Sequence, residues 1–115
     1  VETWLQRIAE NSGLVIVGGS HFKEIDGRIR NVSPIAFPDG SLRFQEKNNL
    51  TRYEVDPWDL ERGHGLASLP GAVGVTICYD TEFPEAGRAL AESGMLVHCV
   101  PAWTETKRGF QRVRW

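Results

Sequence analysis

Residues 73–85 read VGVTICYDTEFPE, and this stretch predicts the fold class. The apolar run that leads to Cys78 is typical of a buried strand, and Pro84 suits the first turn of a helix over PEAGRALAES. The residues MLVHCVPAW, from Met95, predict the next strand. A strand, a helix and a strand in this order form a right-handed crossover between parallel strands. The sequence therefore predicts an α/β fold with a mixed sheet.

Upstream of this unit the pattern predicts a helix and then antiparallel strands. Apolar residues recur at helical spacing over 2–12, and LVIVGG at 14–19 predicts a strand buried on both faces, which SHFKE continues in a more polar register. Asp26-Gly27 and Pro38-Asp39-Gly40 are turn signals between strands. The segment 47–72 has no periodicity, and a loop of this length inside a domain is usually functional.

Composition excludes several classes of protein. The 115 residues are enough for one domain, the net charge is -2, and no basic stripe suggests a nucleic-acid partner. No apolar run approaches the roughly 20 residues that span a bilayer, and the chain does not open on a secretory signal. The two cysteines, Cys78 and Cys99, predict reduced thiols in a cytoplasmic protein, although one bridge between them stays open at this point.

The two ends of the chain predict an incomplete domain. The sequence begins directly on a helix, and Phe110 and Val113 predict the first turns of an amphipathic helix that has no stop signal. We therefore expect residues 1–115 to be one domain truncated at both ends.

Cys78 stands where a strand passes into a helix, and it could be a packed side chain, half of a disulfide, a metal ligand or a nucleophile. A helix N-terminus favours a thiolate, and a sharp strand-to-helix turn lifts the side chain out of the sheet. No spacing ties His21, His64 or His98 to this thiol, and neither C-x-x-C nor H-x-x-x-H occurs, so no metal site is predicted. Position alone favours packing over nucleophilic chemistry.

A second polar cluster stands at the entrance of the 47–72 loop, where Lys47 and Glu54 occur. Charged residues at strand ends are usually solvated. A partly buried lysine could instead act as a fixed cation beside a thiolate and a developing oxyanion.

Taken in order, these residues form a recognisable pattern. GGSHF is followed by FPDG, then by K-x-x-L-x-x-x-E at 47–54, and then by C-Y-D-x-x-F-P-E at 78–85. The chain from about Leu14 onward resembles the nitrilase superfamily of carbon–nitrogen hydrolases. This resemblance implies a four-layer α-β-β-α sandwich and a Glu-Lys-Cys triad that needs no cofactor and no metal.

By resemblance, Cys78 is the nucleophile, Lys47 the triad lysine and Glu54 a supporting glutamate, while the backbone N–H of Tyr79 belongs to the oxyanion hole. Asn49 departs from the family, which usually has histidine there. The general-base glutamate of the family would precede Val1, so we expect residues 1–115 alone to be inactive.

Further expectations concern the pocket and its substrate. Trp103 either lines the substrate pocket or packs, Asp80 and Glu82 cap the following helix or touch substrate, and His21 and Phe22 are structural. The CYD-x-x-FPE form resembles amidases and ω-amidases, which predicts a small-molecule amide as substrate. Nitrile hydrolysis, or a non-catalytic amide-binding or interaction module, is the alternative. The family also implies a homodimer or higher homo-oligomer that pairs through helices such as 84–93.

Overall fold

The computed structural model describes the backbone of residues 1–114 and the side chains of residues 1–113. The helices are α1 (Glu2–Ser12), α2 (Arg52–Val55), α3 (Pro84–Glu92) and α4 (Lys107–Arg114), and a 3-10 helix spans Cys78–Glu82. The strands are β1 (Ile16–Val17), β2 (His21–Ile25), β3 (Arg28–Ala36), β4 (Leu42–Glu46), β5 (Val73–Val75) and β6 (Val97–Cys99). Within these residues no helix is both long and apolar enough to cross a membrane.

An antiparallel sheet is built around β3. Its N-terminal half pairs with β2 through the hairpin at Asp26-Gly27, where both residues have positive φ (53° and 77°), as the Asp-Gly signal predicts. Its C-terminal half pairs on the same edge with β1, so β1 and β2 form one interrupted strand. The opposite edge of β3 pairs with β4, which ends directly before Lys47.

A second sheet contains β5 and β6, which are parallel as the strand–helix–strand pattern predicts. The backbone hydrogen bonds continue beyond the strands, from Thr76 N to Cys99 O (3.2 Å) and from Cys78 N to Pro101 O (2.8 Å). Cys78 is thereby fixed to the chain that leaves β6.

The two sheets lie between helices. Leu5 and Ala9 of α1 pack against Ala36 on one face of β3, while Ile35 on the other face packs against Val75 of β5. On the far side of β5, α3 approaches so closely that a Cβ at Gly74 would lie 3.1 Å from Leu90 Cδ1. The packing order is helix, sheet, sheet, helix, which agrees with the predicted α-β-β-α sandwich.

Two expectations about local structure are wrong. The residues before β1 are not buried on both faces, since Leu14 is 61% exposed and Val15 is 41% exposed, and β1 pairs with β3 alone among the described strands. The segment 47–72 is not wholly a loop, because α2 forms there with a capping box between Thr51 and Glu54. The helices predicted over 2–12 and 84–93, and from Phe110 onward, are present.

Candidate active site

Cys78 occupies a sharp turn between β5 and α3. It is the first residue of the 3-10 helix and has a φ of 46°, in the left-handed region that non-glycine residues seldom adopt. Such backbone strain persists only where the surroundings impose it, and it recurs at functional sites. The thiol is half-buried, and its Sγ lies 3.8 Å from the carbonyl oxygen of Trp103. The turn predicted from the sequence is thus present.

Lys47 and Glu54 form a buried ion pair. Their side chains are 3% and 6% exposed, and Lys47 Nζ lies 2.6 Å from Glu54 Oε2. The same oxygen accepts hydrogen bonds from Thr51 N (2.7 Å) and Thr51 Oγ1 (2.9 Å), and Asn31 Nδ2 donates to Oε1 at 3.2 Å. Neither residue is therefore a solvated charge at the rim. Burial of a charge is costly unless the charge is paired and hydrogen-bonded, as both of these charges are.

The electrostatics of this pair favour the ionised carboxylate. Burial by itself raises the pKa of Glu54, but the hydrogen bond and charge of Lys47, together with the Thr51 hydrogen bonds, outweigh it and hold the pKa below its ordinary value. Lys47 Nζ has three donors and, among the described residues, gives one hydrogen bond, to Glu54. The lysine can therefore donate to a further oxygen.

A single cleft of about 620 Å³ brings the predicted residues together. Cys78, Lys47, Glu54 and Trp103 all line it. These residues come from the end of β4, from α2, from the turn after β5 and from the segment after β6. The 47–72 segment also contributes Thr51, Tyr53 and Trp58 to the lining of the cleft.

Trp103 and Tyr79 take different positions relative to the cleft. Trp103 is 89% exposed at the cleft, so it does not pack. The Tyr79 ring packs edge-on against Phe83, with centroids 5.2 Å apart. Its backbone N–H directly follows Cys78 and, among the residues described, donates to no backbone acceptor outside its own helix. This is where an oxyanion-hole donor would be needed.

His21 and Phe22 were expected to be structural, yet both line the cleft. They stand at the start of β2, beside the opening of the cleft. The Phe22 ring packs against the Trp58 ring, with ring centroids 5.8 Å apart. Asn31 was also missed, although it donates to Glu54 from the middle of β3. Contacts between residues so far apart in sequence have no local signal.

Neither Asp80 nor Glu82 caps a helix, since the 3-10 helix and α3 have no side-chain cap. Asp80 is 2% exposed and binds the segment after Lys47, accepting from Asn48 N (3.1 Å), Asn49 N (2.7 Å) and Asn49 Nδ2 (2.9 Å). Glu82 is exposed. The capping expectation is therefore wrong for both residues.

The other thiol and the other histidines lie away from the cleft. Cys99 packs against the core between the two sheets, and neither cysteine is in a disulfide. His98 Nε2 lies 2.8 Å from Thr76 Oγ1, and burial lowers its pKa. It lines a separate groove of about 710 Å³, between α3 and α4, which contains neither Cys78 nor Lys47. No group of three or more potential metal-ligating side chains occurs in the described part of the chain.

Sequence comparison identifies relatives over most of the chain. The family model for carbon-nitrogen hydrolase matches residues 1–114. The chain is 36% identical over 103 residues to the "probable hydrolase YhcX" of Bacillus subtilis, covering 87% of this chain and 20% of that protein. It is 34% identical over 98 residues to the (R)-stereoselective amidase of a Pseudomonas species, covering 82% of this chain and 34% of that one. The chain thus spans 20% and 34% of the lengths of these two relatives.

Solved structures show the same fold. Saccharomyces cerevisiae Nit3, a member of the nitrilase superfamily, superposes with a TM-score of 0.80 at 27% identity, over 92% of this chain and 40% of that one. An amidase mutant from Nesterenkonia sp. AN1 superposes with a TM-score of 0.67 at 26% identity, over 88% of this chain and 40% of that one. In that structure the acetamide moiety of fluoroacetamide is covalently added to the active-site cysteine. With a family model that matches nearly every residue and a shared fold, this chain belongs to the carbon–nitrogen hydrolase family.

Proposed function

We propose that the protein hydrolyses the carbon–nitrogen bond of a small amide through a thioester on Cys78. The observation that carries this proposal is the cleft, where a strained cysteine and a buried lysine–glutamate pair line one opening. A similar amidase with a substrate-derived group on its active-site cysteine supports the same assignment.

In the first step a general base takes the proton of the Cys78 thiol. The thiolate attacks the amide carbon, and a carbon–sulfur bond forms while the carbonyl π pair moves to oxygen. The Tyr79 N–H and the Lys47 ammonium stabilise this oxyanion. Glu54 holds the Lys47 ammonium in place through a hydrogen bond. The protonated base then gives that proton to the nitrogen, the carbonyl re-forms as the carbon–nitrogen bond breaks, and ammonia or an amine leaves the thioester behind.

In the second step water attacks the thioester carbon. A general base takes the proton of the water, the carbon–sulfur bond breaks, and a carboxylate and the free thiol result. The reaction consumes one water and needs no oxidant and no cofactor.

The general base is, in this proposal, a glutamate outside residues 1–115. Two glutamates line the cleft: Glu54 is committed to Lys47 and Thr51, and Glu105 is exposed. We therefore propose that residues 1–115 alone do not turn over amides, whereas the complete product of the gene does.

The test uses the complete gene product with a panel of aliphatic amides and the nitriles of the same chain length, and it measures the release of ammonia. We expect amides to be hydrolysed with the higher kcat/KM. Cys78→Ala and Lys47→Ala should each abolish turnover, while the matched variant Cys99→Ala retains it. Near-wild-type turnover in Cys78→Ala or Lys47→Ala would refute the assignment, and faster nitrile hydrolysis would refute the choice of substrate.

A non-catalytic amide-binding module is the alternative. It predicts that the complete protein binds amides without releasing ammonia. It also predicts that iodoacetamide labels Cys78 no faster than Cys99. Either result would contradict the enzyme proposal.

We further propose a cytoplasmic location, because both thiols are free. We also propose a homo-oligomer that pairs through the α3 side of the molecule. Light scattering of the complete protein tests the oligomer, and a monomer at micromolar concentration would refute it.

A further inference from the structure

Asp80 stands two residues beyond the candidate nucleophile, and its carboxylate is bonded to the two residues that follow the candidate lysine. Its Oδ2 accepts from Asn48 N, and its Oδ1 accepts from both Asn49 N and Asn49 Nδ2. These three hydrogen bonds span 31 or 32 residues of sequence and join β4 to the turn after β5.

We propose that Asp80 is a positioning residue for the amide hydrolysis proposed above, on which this inference rests. It fastens the segment that carries Lys47 to the turn that carries Cys78. The two reacting groups are thereby held at a fixed separation, although they belong to different sheets.

The contacts exclude the two other roles for this carboxylate. Asp80 does not touch substrate, because it is 2% exposed and does not line the cleft. It caps no helix, because its hydrogen bonds go to residues 48 and 49 and the 3-10 helix has no side-chain cap. Fastening the two segments is the role that its partners support.

The turn that Asp80 holds is itself anchored from the other side. Cys78 N donates to Pro101 O, in the segment after β6, at 2.8 Å. On the lysine side, Lys47 N donates to Asn31 O at 2.8 Å. Hydrogen bonds to a carboxylate are about twice as strong as those between neutral groups, so Asp80 forms a stiff link between two anchored segments.

Asn49 contributes a donor to this link from a position where the resembled family usually has histidine. The amide of Asn49 reaches the same carboxylate oxygen as its own backbone N–H. At the position where this sequence departs from the family pattern, the side chain therefore supplies a hydrogen-bond donor to Asp80.

The test compares Asp80→Asn with Glu82→Gln in the complete gene product. Both variants replace a carboxylate by an amide in the same 3-10 helix, but Glu82 is exposed and makes no hydrogen bond to residues 48 and 49. In Asp80→Asn one backbone N–H faces an NH2 group and loses its acceptor. We expect kcat to fall about 10- to 100-fold, because displacement of a reacting group by about 1 Å has this effect. KM should change less than about threefold, and Glu82→Gln should match the wild type.

Rates are expressed per active site, counted by labelling Cys78, so that loss of folded protein does not imitate loss of catalysis. Leu5→Ala, in the core beneath α1, serves as a variant that lowers stability far from the cleft, and its kcat per active site should be unchanged. A kcat for Asp80→Asn within twofold of the wild type would overturn the proposal. So would a raised KM at unchanged kcat, which indicates substrate contact.

Hydrogen exchange at the amides of Asn48 and Asn49 gives a readout that needs no turnover. Asp80→Asn should speed this exchange, and Glu82→Gln should not. If the wild-type protein hydrolyses no amide, the proposed function fails. Hydrogen exchange alone then tests whether Asp80 joins the two segments. Equal exchange in both variants overturns this link.

Asn49→Ala covers the case in which Asp80→Asn does not fold. It removes one of the three hydrogen bonds to Asp80 and should lower kcat about two- to tenfold. Wild-type kcat in this variant, at equal active-site count, would overturn the proposal.

Discussion

Glu54→Gln should destabilise the protein by about 3 kcal/mol while leaving its shape intact. The substitution leaves the Lys47 ammonium, whose side chain is 3% exposed, without its counter-charge. Loss of one partner of a buried ion pair costs about 3–5 kcal/mol, because the remaining charge is neither solvated nor paired.

Glutamine isolates the effect of the charge because the hydrogen bonds can be kept. Its amide oxygen can replace Oε2 as the acceptor for Lys47 Nζ and for Thr51. The new NH2 group then faces Asn31, whose Oδ1 is buried and has no hydrogen-bond partner among the described residues. Rotation of the Asn31 side-chain amide turns this oxygen toward the NH2 group as an acceptor. We therefore expect the lower end of the range, about 3 kcal/mol, out of a total of about 5–15 kcal/mol for a typical domain.

The pH dependence provides a second criterion. The pKa of Glu54 in the folded protein is below its ordinary value of 4.5, so its ionised form contributes fully to stability above about pH 4.5. That contribution is lost as the pH falls through the folded-state pKa, because the protonated glutamate is then as neutral as glutamine. The difference between wild type and Glu54→Gln should be constant from pH 7 to about pH 5 and should shrink at lower pH.

The assay is urea unfolding followed by tryptophan fluorescence, with Glu2→Gln as the matched control. Glu2 pairs with Lys23, but these side chains are 31% and 33% exposed, so the loss should be below about 1 kcal/mol. Equal losses in the two variants would refute the claim that the Lys47–Glu54 pair is desolvated. A difference that does not shrink below pH 4.5 would refute the assignment of the pH dependence to Glu54.

The remaining predictions concern the thiols, two glycines and the α2 cap. Iodoacetamide should modify Cys78 at least about tenfold faster than Cys99, because Cys78 lines the open cleft whereas Cys99 packs against the core. Peptide mass spectrometry measures both rates, and equal rates would contradict this. Gly63→Ala should lower the free energy of unfolding by about 1–3 kcal/mol, because a Cβ there would lie 3.2 Å from a backbone carbon at the end of β4 and closer still to side-chain atoms. Gly87→Ala, in α3, places the new Cβ where no atom of the described residues lies within 4 Å, so it should raise the free energy of unfolding by about 0.5–1 kcal/mol. A change of the same sign in the free energy of unfolding of both glycine variants would be inconsistent with this packing. Thr51→Ala should cost about 1 kcal/mol in urea unfolding through loss of the α2 cap, and an unchanged midpoint would show that the cap is not formed.

Elements with a local signal could be predicted from the sequence. The helices α1 and α3 follow from apolar spacing and from Gly13 and Pro84 at their ends. The hairpin at Asp26-Gly27 follows from a dipeptide that accepts positive φ at both positions. A signal for α2 was also present, since Thr51-x-x-Glu54 is a capping-box sequence, but a helix of four residues has no periodicity to support it.

Features that depend on tertiary contacts could not be predicted. Asp80 stands at a helix start, where a carboxylate favours capping, and its actual partners lie 31 or 32 residues away in sequence. Likewise, the positions of Phe22 and Trp58 at the cleft depend on how β2 meets the segment after α2. Local propensity does not encode such tertiary contacts. The order of Lys47, Glu54 and Cys78 along the chain indicated a common site only because it resembles the order in the nitrilase superfamily.

Two carboxylates hold Lys47 in place, and they act on different parts of the residue. Glu54 binds the tip of the side chain, so it fixes the direction in which the ammonium group points. Asp80 binds the backbone of the next two residues, so it governs where the start of that side chain lies relative to Cys78. Neither carboxylate can replace the other, because the position of an ammonium group on a flexible side chain is defined only when both ends of that side chain are fixed. Placement of the cation at the cleft thus requires one carboxylate from α2 and another from the turn after β5.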